Sequence, residues 1–318
     1  MIRRWLRSMV DVRTGERLPV LLMFLYGFLV LTSYYVVKPV RNSVFVDRVG
    51  ADNLPYVYIL TAFVVTLVMI FYSRHVDRVK QRALILGTFA FLIANLVLFW
   101  WWLGLGDTVL SSGTFYIWGK LYPLLLVSQF FLVANLIFTT RQARRLFAPI
   151  GVGLILGGIA GGAVSGFAAA VVGTENLLLV AGGFLGLAAL IVMALAPHMT
   201  ASEASGRLIE ELSGDAWQIL RNSTHLRTIA WILGLTIVVG TLIDWQFNSA
   251  VEQYVEGEDA KTAFFGKFFA LLNIVSVLIQ VLITGPVLRH LGVGIGMLAL
   301  PLGLLGASAG VFLAPVLL

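Results

Sequence analysis

Residues 73–82, with the sequence SRHVDRVKQR, decide how this chain folds. They lie between two long apolar runs, residues 55–72 and 83–103. Each run is close to the ~20 residues with which an α-helix crosses the hydrocarbon of a bilayer. The stretch between them is therefore expected to be a tight turn at a membrane surface. Its four basic residues predict that this surface faces the cytoplasm.

A second short loop, Gly285-Pro-Val-Leu-Arg-His-Leu-Gly292, repeats the spacing of the first. Gly285 and Arg289 are four residues apart, as Ser73 and Asp77 are, and the loop again separates two apolar runs. A degenerate repeat of this kind, at a distance of about two hundred residues, is typical of a transporter built from two parallel six-helix halves.

The composition indicates a membrane protein. Of the 318 residues, 59% are hydrophobic and 12% are charged, which is more apolar surface than a soluble core can hide. The absence of Cys excludes a disulfide framework and thiolate-bound metal. The net charge of +6 does not indicate a nucleic-acid partner, because the basic residues cluster in short loops between apolar runs. We expect an all-α integral membrane protein whose surroundings are the lipid bilayer.

Nine apolar runs have the length of membrane helices. They cover about residues 18–37, 55–73, 83–103, 114–139, 147–172, 176–196, 227–247, 262–284 and 291–314. The domains that follow are a cytoplasmic N-terminal segment (1–17), a six-helix half (18–196), a cytoplasmic linker (197–226) and a partial second half (227–318). Because a second half of six helices needs about three more spans, we expect a 12-helix fold that continues beyond Leu318.

The basic residues predict the orientation. Sixteen of the 22 Lys and Arg residues fall in segments assigned to the inside, whereas Arg41, Arg48 and Lys261 are assigned to outside loops. This bias predicts a cytoplasmic N-terminus, and we expect the protein in a plasma membrane of the bacterial inner-membrane type.

The fifth run is rich in glycine. Pairs such as Gly157 and Gly161 have the small-x3-small spacing that lets helix backbones approach closely. No strand precedes the run, so it is not a phosphate-cradling loop. Close helix packing is the prediction for this segment.

The sequence favours a protein that is not an enzyme. None of the four His residues has the paired spacing of a metal site, and neither a Gly-x-Ser-x-Gly elbow nor a Walker motif is present. We therefore expect no catalytic residues, no metal and no cofactor.

Charged residues within or beside the apolar runs are the candidates for a binding site. Charges in membrane spans are costly and tend to face a polar cavity. The candidates are Lys38, Arg41, Lys120, Asp244 and Lys267. Each cation alone could instead snorkel to the headgroups. Taken together they predict a cavity that attracts an anion, with Lys38, Arg41 and Asp244 as one coupled site.

The loop at residues 73–82, Ser-x3-Asp-Arg-x-Lys-x-Arg, resembles the loop between helices 2 and 3 of the major facilitator superfamily. That family usually has Gly where Ser73 and Lys80 stand. The resemblance implies a major-facilitator-type helix bundle, in which Asp77, Arg78 and Arg82 form a conformational latch.

Other segments resemble the ATP/ADP translocase family of nucleotide transporters, over roughly residues 34–300. They are Lys38-Pro-Val-Arg41, Trp118-Gly-Lys-Leu-Tyr-Pro123, and residues 128–135, 142–151 and 241–248. Lys38 matches the family's lysine in helix one and Asp244 its glutamate in helix seven, whereas Lys120 lies near the position of a family acid. The resemblance implies alternating-access transport of an organic anion, with a nucleotide in exchange as one candidate. A non-transporting membrane anchor or assembly module that retains the fold is the alternative.

Overall fold

The protein is all-helical in a computed structural model that describes residues 15–75, 81–106, 108–199, 223–279 and 303. None of these residues forms a β-strand. Eight of the helices are long and apolar enough to cross a membrane. The prediction of a helical, multi-pass membrane protein is confirmed for this part of the chain.

The eight long helices follow one another with short connections. They are α1 (Arg17–Arg48), α2 (Leu54–His75), α3 (Gln81–Leu103), α4 (Val109–Ile137), α5 (Thr140–Val172), α6 (Leu177–Leu195), α7 (Thr224–Tyr254) and α8 (Glu258–Ile279). Short 3₁₀ turns at Ala51–Asn53 and Ala196–His198 precede α2 and follow α6. The predicted ninth span at 291–314 and most of the predicted linker lie outside the described residues.

Helix α1 is the central element, because it packs against α4, α5, α6 and α7. Its 32 residues are ~48 Å long at 1.5 Å per residue. The predicted span of 18–37 was too short, since the helix continues through Pro39 to Arg48. Arg41 is therefore a buried helix residue and not part of an outside loop, as predicted.

Polar contacts join α1 to its neighbours in the interior. The Ser33 hydroxyl lies 2.6 Å from the Tyr122 hydroxyl on α4 and donates to the Ala181 carbonyl on α6. Such bonds and close packing hold helices together in lipid, where burial of apolar surface supplies no driving force.

The glycines of α5 let two other helices come close, as predicted. A Cβ added at Gly153 would lie 2.6 Å from the Phe24 carbonyl oxygen of α1, and one at Gly157 or Gly161 would clash with the same helix. Gly162 and Gly166 lie against α8, where an added Cβ would be 2.7 to 2.9 Å from backbone nitrogens. Helix α5 thus contacts α1 and α8 with almost no intervening side chain.

A group of ion pairs gathers at the C-terminal end of α1. Arg48 donates from Nη2 to Glu175 and from Nε to Glu258, each at 2.6 Å. Lys261 Nζ lies 2.5 Å from Asp47 Oδ1. We call these five residues the α1-end network. It corrects the predicted outside-loop positions of Arg48 and Lys261, which both lie in helices.

Hydroxyl groups extend this contact between the α5–α6 turn and α8. The Thr174 backbone N–H and hydroxyl donate to Asp259 Oδ1 at 2.7 and 2.6 Å. The Thr174 hydroxyl also lies 2.9 Å from that of Thr262, which contacts the Ser43 hydroxyl of α1. The start of α8 is therefore tied to α1 and to the α5–α6 turn.

Helix α7 is buried only near its C-terminal end. Asn248 and Val251 are buried, whereas Trp231 and Ile237 are 80% and 68% exposed. Trp245 Nε1 donates to the Ala51 carbonyl, and Glu252 accepts from the Ala51 N–H. Within the described residues, α7 thus meets the first six helices through its second half.

The chain divides into two compact units, Met1–Ala270 and Leu271–Leu318. The first holds the networks described above. In the second, residues 271–279 are helical, and the Ser276 hydroxyl donates to the Leu272 carbonyl at 2.7 Å. The predicted division into two halves at residues 197–226 stays a prediction.

Candidate functional site

Asp244 on α7 is the acidic residue of the candidate site. Its Oδ2 atom lies 3.6 Å from Lys120 Nζ on α4 and accepts a 2.9 Å hydrogen bond from the Tyr58 hydroxyl on α2. About a third of each charged side chain is exposed, 30% for Lys120 and 32% for Asp244. The ion-pair partner of Asp244 is therefore Lys120, while Lys38 and Arg41 interact with it at longer range.

Aromatic rings surround the Lys120 ammonium. Its Nζ lies 5.3 Å from the ring centroids of both Tyr58 and Tyr116. The face of an aromatic ring attracts a cation at this distance. These rings stabilise the ammonium without neutralising it.

Lys38 on α1 has ring contacts and no carboxylate within ion-pair distance among the described residues. Its Nζ lies 3.7 Å from the ring centroid of Phe269 on α8 and 5.6 Å from that of Tyr35. Electrostatic interactions link it to Arg41 and Asp244. Lys38 is thus a cation that an incoming anion can take without first breaking an ion pair.

Arg41 donates most of its hydrogen bonds to the protein. Nε and Nη2 donate to Asn42 Oδ1 at 3.0 and 2.7 Å, and Nη1 donates to the Gly119 carbonyl at 3.3 Å. The guanidinium also lies 5.0 Å from the Tyr116 ring centroid. With 3% of its surface exposed, Arg41 supplies charge to the site from behind Lys120.

Two prolines leave helix carbonyls without their usual donors beside the two lysines. Pro39 follows Lys38 and has no N–H for the Tyr35 carbonyl, which lies 3.4 Å from the Ser165 hydroxyl of α5. Pro123 likewise cannot bond the Gly119 carbonyl, which accepts from Arg41 instead. Neighbouring helices satisfy both carbonyls, as required inside a membrane.

The charged groups lie well inside their helices. Lys38, Lys120 and Asp244 are each within about six residues of the midpoint of α1, α4 or α7, which is ~9 Å at 1.5 Å per residue. The cluster of Lys38, Arg41, Lys120 and Asp244 therefore lies at the depth of the hydrocarbon and not at the headgroups.

The remaining predicted residues stand apart. Lys267 is exposed on α8, with its Nζ 5.5 Å from the Phe167 ring centroid of α5. Asp77 and Arg78 of the predicted latch lie outside the described residues. Arg82 is the second residue of α3, and its side chain lies outside the described part as well.

Sequence reasoning missed the tyrosines and the phenylalanine that complete the cluster. Tyr58, Tyr116 and Phe269 lie in apolar runs, where an aromatic residue resembles any other core or lipid-facing side chain. The two prolines were a usable signal, because a proline inside an apolar run frees a carbonyl near the charged residue.

Comparisons of this chain with protein-family models, with curated proteins and with solved structures found no match. The likeness to the major facilitator superfamily and to the nucleotide transporters therefore remains a resemblance. The chemistry of the site follows from its own geometry, in which three cations, ring faces and one carboxylate meet inside a membrane bundle.

Proposed function

We propose that this protein is a secondary transporter that carries an organic anion across the membrane by alternating access. Nucleotides are the first candidates, in an exchange of the ATP/ADP type. The observation that supports this most is the meeting of Lys38, Arg41, Lys120 and Asp244, from three helices, at hydrocarbon depth.

The energetic cost of these charges favours a ligand-binding role. A single charged side chain at the centre of a span opposes insertion by ~2.5–3.5 kcal/mol. The cluster holds three cations and one carboxylate, so its formal charge is positive when no ligand is bound. An anion restores neutrality, whereas an anchor that only packs in lipid has no use for this excess.

Asp244 then acts as an internal stand-in for the substrate. In the empty site it holds Lys120 at 3.6 Å, while Lys38 rests on ring faces. An arriving phosphate or carboxylate group takes Lys38 first and competes with Asp244 for Lys120. Two ammonium groups on different helices suit an anion with several oxygen atoms better than one point charge does.

Alternating access needs a site that lies between two helix sets. The cluster draws Lys38 and Lys120 from the first six helices, and Asp244 and Phe269 from α7 and α8. The α1-end network closes one end of this junction. In a major-facilitator-type arrangement, rocking of the two sets would open that end and close the other.

The proposed orientation has the N-terminus in the cytoplasm, the α1-end network outside, and a bacterial inner membrane as location. The chain has no Cys, so single thiols report sidedness without background. A Gln81→Cys or Ser205→Cys variant should label only from the cytoplasmic side, and Gly257→Cys only from outside. Opposite labelling at two sites would reverse the orientation.

Uptake into vesicles that contain the full-length protein tests the function. Labelled ATP, inorganic phosphate and small carboxylates are offered in turn. Lys38→Ala and Lys120→Ala should each abolish uptake of the carried anion. Lys267→Ala is the matched control, because it removes a lysine that lies outside the cluster, and it should transport near normally.

Normal uptake by Lys38→Ala would make that lysine a snorkelling anchor and end the anion-site proposal. If the well-folded protein moves none of the three classes of anion, the alternative of a non-transporting anchor or assembly module would be favoured. A fold alone does not decide between these functions.

A further inference from the structure

We infer that Arg41 is a positioning residue for Lys120 and not a ligand of the substrate, an inference that rests on the proposed anion site. Its guanidinium holds the proline break of α4 at Gly119, the residue directly before Lys120. The location of the Lys120 ammonium therefore depends on a contact made by α1.

The hydrogen bond at the break is the first support. In a regular helix the N–H of residue 123 would bond the carbonyl of residue 119, but Pro123 has no N–H. Arg41 Nη1 supplies the missing donor at 3.3 Å. Inside a membrane a carbonyl without any donor is strongly disfavoured, so this contact fixes the direction in which the break faces.

The close approach at Gly119 is the second support. A Cβ at this position would lie 2.6 Å from Arg41 Cδ and 2.9 Å from Arg41 Cγ. Only glycine leaves room for the arginine stem to pass directly against the α4 backbone. Tyr116, one turn before Lys120, lies under both cations, at 5.0 Å from Arg41 and 5.3 Å from Lys120.

The hydrogen bonds of Arg41 argue against direct contact with an anion. Nε and Nη2 share Asn42 Oδ1, Nη1 bonds Gly119, and the side chain is almost fully buried. Lys38 and Lys120 keep their ammonium groups among ring faces, where a ligand can displace them. Arg41 thus acts on the anion through Lys120.

A thiol reporter tests the positioning without any need for transport. In the full chain, which has no other Cys, the Lys120→Cys variant is labelled in membranes with the neutral reagent N-ethylmaleimide. Adding Arg41→Lys, which keeps the charge and removes the planar fork, should raise the labelling rate several-fold. Gly119→Ala, which pushes the arginine stem away, should raise it similarly.

Gly113→Ala is the matched control, because it adds the same methyl group to α4 where a Cβ meets nothing within 4 Å. It should leave the labelling rate unchanged. An unchanged or slower rate in both Arg41→Lys and Gly119→Ala would overturn the inference. These two substitutions act independently, so misfolding of one still leaves the other as a test.

A kinetic cycle separates a positioning residue from a ligand. Arg41→Lys should raise KM for the carried anion in the parent protein and leave it unchanged when Lys120→Ala is already present. Multiplying effects would mean that Arg41 touches the anion itself, and would overturn the inference. If no variant transports at all, the proposed function fails, while the labelling rates still decide whether Arg41 positions residue 120.

Discussion

At the scale of single residues, the site is defined by which carboxylate serves which cation. Asp244 holds Lys120 and accepts from Tyr58, and Lys38 is left with ring faces. This division of roles makes Lys38 the first contact for an anion and Lys120 the second. Removal of Asp244 should therefore not simply strengthen binding, because the empty site then keeps an unbalanced cation at hydrocarbon depth.

An exchange of charges tests the pair directly. Lys120→Asp and Asp244→Lys should each lower uptake at least about tenfold, which is the effect of losing ~1.4 kcal/mol. The double exchange restores the ion pair and moves the ammonium to α7, so it should recover part of the uptake. The measurement is initial uptake rate at matched amounts of folded protein in the vesicles.

Lys38→Asp combined with Asp244→Lys is the comparison for this exchange. These two residues interact at longer range than an ion pair, so this double variant should recover less. Equal recovery in the two double variants would show that Asp244 does not prefer Lys120.

Much of the fold followed from periodic apolar runs, whereas the pairing within the site did not. Hydropathy located eight of the described spans, and glycine spacing indicated the contact of α5 with α1. Whether Asp244 meets Lys38 or Lys120 depends on the rotation of α4 and α7, which no local pattern encodes. For the same reason, Arg48 and Lys261 could be read as loop charges, although their acidic partners lie on other elements.

At the scale of helices, α5 determines how closely the others can pack. Gly153, Gly157 and Gly161 lie one turn apart in pairs and face the α1 backbone. Close approach of this kind strengthens dispersion contacts, which are the main cohesive force between helices in lipid. The glycine face therefore stabilises α1, the helix that carries Lys38 and Arg41.

A methyl group on this face should loosen the bundle. Gly157→Ala should destabilise the protein by roughly 1–3 kcal/mol, as overpacking commonly does, since its Cβ would clash with the Phe28 backbone. Gly151→Ala on the same helix meets nothing within 4 Å and should leave stability unchanged. Thermal unfolding in detergent measures both, and equal midpoints for the two variants would contradict the packing described for α5.

At the scale of the whole protein, the charged cluster and the α1-end network divide two tasks. The cluster holds Lys38, Lys120 and Asp244 between helices, and the network ties the start of α8 to α1 and to the α5–α6 turn. Transport by alternating access requires the second set of contacts to break and reform in each cycle. A covalent bond placed there should stop the cycle without touching the site.

Thr174 and Thr262 are suited to such a bond. Both are buried, and their hydroxyl oxygens are 2.9 Å apart, which is near the separation that a disulfide between Cys residues needs. Thr174→Cys combined with Thr262→Cys should lose uptake under oxidation and regain it under a reducing agent. Each single substitution is the control, and continued uptake with the disulfide formed would show that these elements do not separate.

The glycine contact between α5 and α8 has a mechanical consequence. Gly162 and Gly166 meet the backbone around Gly266 and Ala270, so few side chains interlock across this surface. A displacement of one helix along the other then requires few rotamer changes. Such a surface suits shear, in which packed helices slide by small steps. In that case α8 could shift along α5 with low friction while its first turn remains the fastened end.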